Sequence, residues 1–213
     1  MNFKIVRSQR KSIGITVGDN EVVVRAPHYL SDAEIKLELK EHQLWIREKL
    51  NEQEIKRLRV ENFKDKGKFL LLGRELDVIR VTGRKIVVYG QEISIGEMSN
   101  VDNFLKKELT NIVTDLVEAW SHINRPAALT YRKQRTIWGS CTSKGKINLN
   151  INLAKAPIEV IEYIYVHELV HLEIRNHSKV FWNKVQELLP EYKQAKRWLK
   201  DNGHLIGLDF MIK

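Results

Sequence analysis

The chain has 213 residues, of which 43% are hydrophobic and 30% charged, with a formal net charge of +9. That is the composition of an ordinary globular protein with room for one large domain or two small ones. No apolar run reaches the ~18 residues of a membrane span, and the opening "MNFKIVRSQRKS" lacks the apolar segment and cleavage site of a signal peptide.

Cys141 is the single cysteine, which excludes an intrachain disulfide and favours a reducing, cytoplasmic setting. The surplus positive charge is spread over both halves. It favours an anionic partner and says nothing about fold.

Taken in chain order, "FKIVRS", "SIGITVG" and "EVVVRAP" are short β-branched runs separated by "QRK" and "GDN", expected as a meander. Ser31 and Asp32 offer N-caps for one helix through "AEIKLELKEHQLWIREKLNEQEIKRL", with Ile35, Leu39, Leu44, Ile46 and Leu50 near helical spacing. Strands follow in "FLLLGRELDVIRVTGRKIVVYGQEISI", punctuated by Gly73, Gly83 and Gly90. The segment "SIGEMSN" then marks the expected boundary between a β-rich region with one long helix, 1–97, and a second domain, 98–213.

The second half opens with an amphipathic helix, "VDNFLKKELTNIVTDLVEAWSHIN". Strands "ALTYRK" and "KINLNINL" flank the tight "WGSCTSKG". Pro157 then opens a helix through "IEVIEYIYVHELVHLEI". Ser178 caps another through "KVFWNKVQELL", and Pro190 starts a last one with Gly203 as its stop. The fold class is α+β, with no internal repeat in the sequence.

His167 and His171 fall at i and i+4, on one helix face. Both can address one ion, while Glu168 is angled to the side and can hold a water at that ion. This is the logic of H-E-x-x-H zinc hydrolases. A catalytic zinc centre needs a third protein ligand and an open fourth position. His177, ten residues after His167, has the spacing of the third histidine in H-E-x-x-H-x-x-G-x-x-H enzymes. Ile174 stands where those have glycine, so the turn is expected later, with Asn176 the residue best able to adopt a left-handed conformation. The rival readings are a core helix with incidental histidines, and Glu187 or Glu191 as third ligand. His28, His42, His122 and His204 lack metal spacing. Cys141, Trp138 and Trp182 read as packing residues.

The stretch "RTIWGSCTSKGKINLNINLAKAPIEVIEYIYVHELVHLEIRNHSKVFW" resembles the YgjP-like metallopeptidases, relatives of the SprT-like proteases. The resemblance rests on W-G-S-C, on a strand ending in L-N-x-x-L, on H-E-L-x-H-L and on N-H-S-x-x-F-W. It extends to "VRAP", "LWIREKL" and "FLLLGRELDV" in the N-terminal half. It implies a small zincin-like metallopeptidase domain over 98–213, with the active-site helix on a short sheet. It also implies Zn2+ held by His167, His171 and His177, with Glu168 as catalytic base. Relatives of the SprT type act on proteins bound to DNA, but the resemblance supplies no substrate for this chain.

A peptide or protein substrate fits the alternation in "KINLNINL", which reads either as an exposed edge strand beside the active-site helix or as an ordinary internal strand. The alternatives to a peptidase are a metal-dependent nucleotide phosphohydrolase and a nucleic-acid-associated binding module. The first lacks a second carboxylate cluster, and the second lacks the cysteines of structural zinc. From Ala119 to Ile158 there is no acid, while Arg125, Arg132, Lys133, Arg135, Lys144, Lys146 and Lys155 are basic. That stretch is expected either to rim the cleft and draw nucleic acid or an acidic peptide, or to be a solvated face. Oligomeric state is not legible.

Overall fold

A computed structural model describes residues 3–18 and 21–207, so the turn expected at Asp19–Asn20 lies outside the described residues. The fold is α+β. The chain divides into two compact units, Met1–Asn62 and Phe63–Lys213. No described helix is long and apolar enough to cross a membrane.

The first unit holds β1 (Phe3–Ser8), β2 (Gly14–Gly18), β3 (Glu21–Pro27), α1 (Asp32–Glu41) and most of α2 (Gln43–Asp65). The expected meander is not formed. β3 lies between its two predecessors, parallel to β1 and antiparallel to β2. Its Val22, Val24 and Ala26 are buried, whereas β1 and β2 are only half-covered. The most apolar strand takes the centre, where both of its edges are paired.

Ser31 caps α1 in a reciprocal box with Glu34. The single expected helix breaks at His42, whose φ of −91° and ψ of 9° leave helical geometry. The hydrogen bonding nearly continues, since the His42 amide donates to the Glu38 carbonyl at 3.2 Å and that of Ile46 to the His42 carbonyl at 2.9 Å. Ile35, Leu39 and Ile46 close the core over β3. Leu44, at helical spacing in the sequence, is 76% exposed.

The second unit holds two sheets. In the first, β4 (Lys68–Leu71), β5 (Arg74–Val81), β6 (Ile86–Tyr89) and β7 (Glu92–Gly96) run in the order β4-β5-β7-β6. Gly73, Gly83 and Gly90 all take positive φ between them. In the second, β8 (Ala128–Arg132), β9 (Gly139–Cys141) and β10 (Lys146–Asn150) run β8-β10-β9. Both repeat the scheme of the first unit: the last strand inserts between its two immediate predecessors, parallel to the earlier and antiparallel to the later, and β4 adds a further antiparallel strand on β5 in the four-stranded sheet. No repeat in the sequence announces this one.

Four helices complete the unit: α3 (Val101–Ala119), α4 (Ile158–Val170), α5 (Lys179–Leu188) and α6 (Tyr192–Ile206). Asn100 caps α3 by accepting from the Asn103 amide at 2.9 Å. The buried stripe of α3 is Leu105, Leu109, Val113 and Leu116. α4 is buried nearly all round, packed among α3, α5, α6 and β9. Two ends differ from expectation. β10 stops at Asn150 and gives way to a 3-10 turn over Ile151–Lys155. α6 runs through Gly203, where a Cβ would come 3.3 Å from the Trp138 ring, so this glycine admits Trp138 and does not end the helix.

Candidate metal centre

His167 lies in the last turn of α4 and His171 caps its C-terminus. The helix ends in tight backbone turns: Leu172 donates to the Leu169 carbonyl at 3.0 Å and Glu173 to that of Val170 at 3.1 Å. Asn176 is not left-handed, contrary to expectation, and no residue from 171 to 178 has positive φ. Instead the Asn176 Oδ1 accepts from the Ser178 amide at 3.3 Å, and α5 begins just beyond. The right-handed turns suffice because His177 needs only to fold back over one helical turn.

The three histidines meet. The His177 Nε2 lies 3.0 Å from the His167 Nε2 and 3.1 Å from the His171 Nε2. Among the described residues this is the one group of three or more His, Cys, Asp or Glu that could hold an ion. Metal–nitrogen bonds of about 2.0–2.1 Å at tetrahedral angles place ligand nitrogens about 3.3 Å apart, close to the separations found.

Protonation also fits. His171 donates through Nδ1 to the Ile174 carbonyl at 2.9 Å, which leaves the Nε2 lone pair facing inward. Burial pushes His167 down to about 3, aided by the charges of His171, His177 and Lys196. Burial lowers His171 as well. Neutral imidazoles are what a divalent ion requires. The fully buried Phe181 ring backs all three, with centroids 4.5–4.9 Å away.

Glu168 is 5% exposed, and burial raises its carboxyl to about 7. The space it occupies exists because residue 139 is glycine. A Cβ on Gly139 would lie 2.7 Å from the Glu168 Oε1 and 2.8 Å from its Cγ. Asn150, 1% exposed, fixes the segment that carries Gly139. Its Nδ2 donates to the carbonyls of Gln134 at 2.8 Å and Ile137 at 2.9 Å, and its Oδ1 accepts from the Asn152 amide at 3.1 Å. Asn148 adds a bond to the Gln134 Oε1.

The motifs W-G-S-C and L-N-x-x-L were visible in the sequence, but the role of Gly139 and Asn150 was not. The only local signal was a glycine inside a strand. Gly139→Ala is expected to push the carboxylate aside and lower turnover roughly 10–100-fold, with metal content unchanged in a side-by-side metal assay. Parental turnover would show that the carboxylate tolerates the methyl.

β10 is the internal strand of its sheet, not the edge. It is hydrogen-bonded to β8 and β9 on its two sides, with Asn150 buried against backbone carbonyls and the half-buried Asn148 bonded to the Gln134 side chain. The edge beside α4 is β9. Glu187 pairs with Lys184 at 3.0 Å and Glu191 accepts from Gln194, so neither joins the histidines. Burial raises the Cys141 thiol, as suits a packing residue. Arg175 donates to the Thr142 carbonyl at 2.8 Å and the Ser143 carbonyl at 3.3 Å, tying the turn after α4 to the turn after β9. Trp138 and Trp182 are half-buried, and Trp182 forms a wall of the histidine site.

Three imidazoles converge at the end of a buried helix, beside a buried carboxyl, and could hold a metal ion. The chain belongs to the YgjP-like family: the model described as "YgjP-like, metallopeptidase domain" matches residues 11–202. Membership makes it a metallopeptidase, with a metal ion and peptide or protein substrates. No curated protein matches it. Two solved structures are similar to part of the chain. The metallopeptidase zymogen of Pyrococcus abyssi abylysin is 25% identical, with a TM-score of 0.34 over 45% of this chain and 92% of that one. The metallopeptidase zymogen of Methanocaldococcus jannaschii jannalysin is 20% identical, with a TM-score of 0.36 over 46% and 90%.

Proposed function

We propose that the protein is a zinc-dependent peptidase whose ion is held by His167, His171 and His177 and whose general base is Glu168. The observation that carries this is the convergence of three Nε2 atoms beside a carboxyl buried against Gly139. Three neutral imidazoles with a fourth position open are a donor set of catalytic zinc. Bound there, zinc supplies Lewis acidity that acidifies water and polarises a carbonyl.

Glu168 does the proton work. Raised to about 7 by burial, it can take a proton from the attacking water and pass it to the leaving amine near neutral pH. β9 is the edge strand beside α4, so the side of it not paired with β10 can offer main-chain groups to an extended peptide, a mode that binds many sequences at modest cost in specificity. A phosphohydrolase is less well supported, since no acidic cluster for a second ion occurs among the described residues. The test is degradation of an unfolded protein, abolished by a chelator and restored by zinc, with nucleoside triphosphate hydrolysis followed in parallel. Triphosphate turnover with the protein substrate left intact would overturn the reading.

The basic stretch supports an anionic partner, of which nucleic acid is the one we favour. Arg132, Arg135 and Lys144 are exposed and make no ion pair among the described residues. Others are withdrawn: Lys155 is buried with its Nζ on the Ile206 carbonyl at 3.1 Å, Lys133 pairs with Asp102, and Arg125 with Glu118. Binding is expected in the micromolar range at low salt, with a log–log salt slope of about −0.7 to −0.9 per phosphate contact. Arg132→Glu with Arg135→Glu should weaken it, as read by fluorescence anisotropy. Binding that these changes leave untouched, or its absence at ~50 mM salt, would rule this surface out.

A further inference from the structure

Trp182 packs against two of the three histidines, with ring centroids 5.8 Å from His167 and 5.7 Å from His177. Tyr192 of α6 stacks on Trp182 at 5.7 Å. One turn further along α6, Lys196 holds its ammonium 4.4 Å from the centroid of the Trp182 ring. A cation over an indole face is attracted by the ring quadrupole, so the end of a side chain with many rotamers is held in one place.

Lys196 is exposed and makes no ion pair among the described residues. Lys193, Arg197 and Lys200 of the same helix are exposed too. A preorganised ammonium beside a metal centre, without an acid of its own, is a docking point for an anion.

We propose that Lys196 forms a carboxylate-binding subsite beside the metal centre, so that the peptides it favours carry an acidic side chain or a free C-terminal carboxylate close to the bond cleaved. The proposal rests on the peptidase reading above. An extended chain advances about 3.4 Å per residue. The separations from His167 to Trp182 and on to the ammonium are together covered by about three such residues. The carboxylate therefore belongs within about three residues of the scissile bond. A carboxylate is favoured over a phosphate because the family acts on peptides.

The experiment uses the full chain loaded with cobalt(II), whose visible spectrum reports ligands at the ion. Acetohydroxamate and the monohydroxamate of succinate are titrated in turn. The parent should bind the carboxylate-bearing probe about tenfold more tightly, the worth of one charged hydrogen bond. Lys196→Ala should bind the two equally, and Lys196→Glu should invert the preference. Cleavage sites mapped in a peptide mixture should show acidic residues near the cut for the parent and basic ones for Lys196→Glu.

Equal binding of both probes by parent and Lys196→Ala would overturn the subsite. So would a loss of kcat common to all peptides, which would place Lys196 at the reacting atoms. Inorganic phosphate displacing the carboxylate-bearing probe more strongly than acetate does would reassign the site to phosphate and likewise overturn it. Glu168→Gln separates the two levels: unimpaired cleavage removes the base, while the probe titration still judges Lys196. Cobalt that fails to bind removes the centre and the subsite together.

Discussion

Glu168→Gln is expected to lower peptide hydrolysis at least ~10²-fold while the ion stays bound. The amide has the size of the carboxylate and keeps the fit against Gly139, where no Cβ can stand. What it loses is the capacity to accept a proton. The same variant has a signature in stability that needs no metal. Burial raises the carboxyl from the ordinary 4.5 to about 7, so the folded state holds this proton more tightly than the unfolded chain. The stability it contributes is complete below about pH 4.5 and is lost as pH rises through about 7, a swing on the order of 3 kcal/mol. The buried histidines gain stability with rising pH in both proteins alike, so in metal-free protein the denaturant midpoint of the parent should drop relative to that of Glu168→Gln between pH 5 and pH 8. Turnover equal to the parent's would take Glu168 out of the chemistry. A parent-to-variant difference that stays constant over this range would show the carboxyl to be solvated.

His177→Ala is the second large effect. His167 and His171 share α4, but His177 reaches them from beyond the helix end and is itself exposed. Its removal leaves two donors one turn apart and uncovers one side of the Phe181 and Trp182 rings without touching the helix that carries them. Loss of a mere outer-shell partner costs about 10–100-fold in metal affinity, so loss of a ligand should exceed ~100-fold. Competition against a chromophoric chelator gives the number, and circular dichroism checks the fold. An affinity equal to the parent's would mean that some other group completes the centre.

The histidines were legible because their relation is local. Spacings of four and ten residues on and just past one helix place them together before any tertiary contact is known. The route of the chain to His177 was not, since Asn176 looked like the turning residue while the helix in fact ends through right-handed turns at Leu172 and Glu173. Strand order was also out of reach. "KINLNINL" alternates as an edge strand would, but Asn150 is buried and bonded to the loop before β9, a pairing made in tertiary structure.

Gly139 shows the same limit most sharply. Its partner lies 29 positions away in sequence, and only the approach of β9 to α4 gives the missing side chain a meaning. Charge was legible as a total, yet Lys155 proved to be a buried donor to the end of α6, unlike Arg132 and Arg135 at the surface.

The most direct test of the metal centre is native mass spectrometry of the full chain titrated with zinc. One ion per chain is expected for the parent, and none at matched free zinc for a variant with His167→Ala and His171→Ala together. A parent that takes up no zinc, or a double variant that takes up one ion just as tightly, would contradict the three-histidine centre.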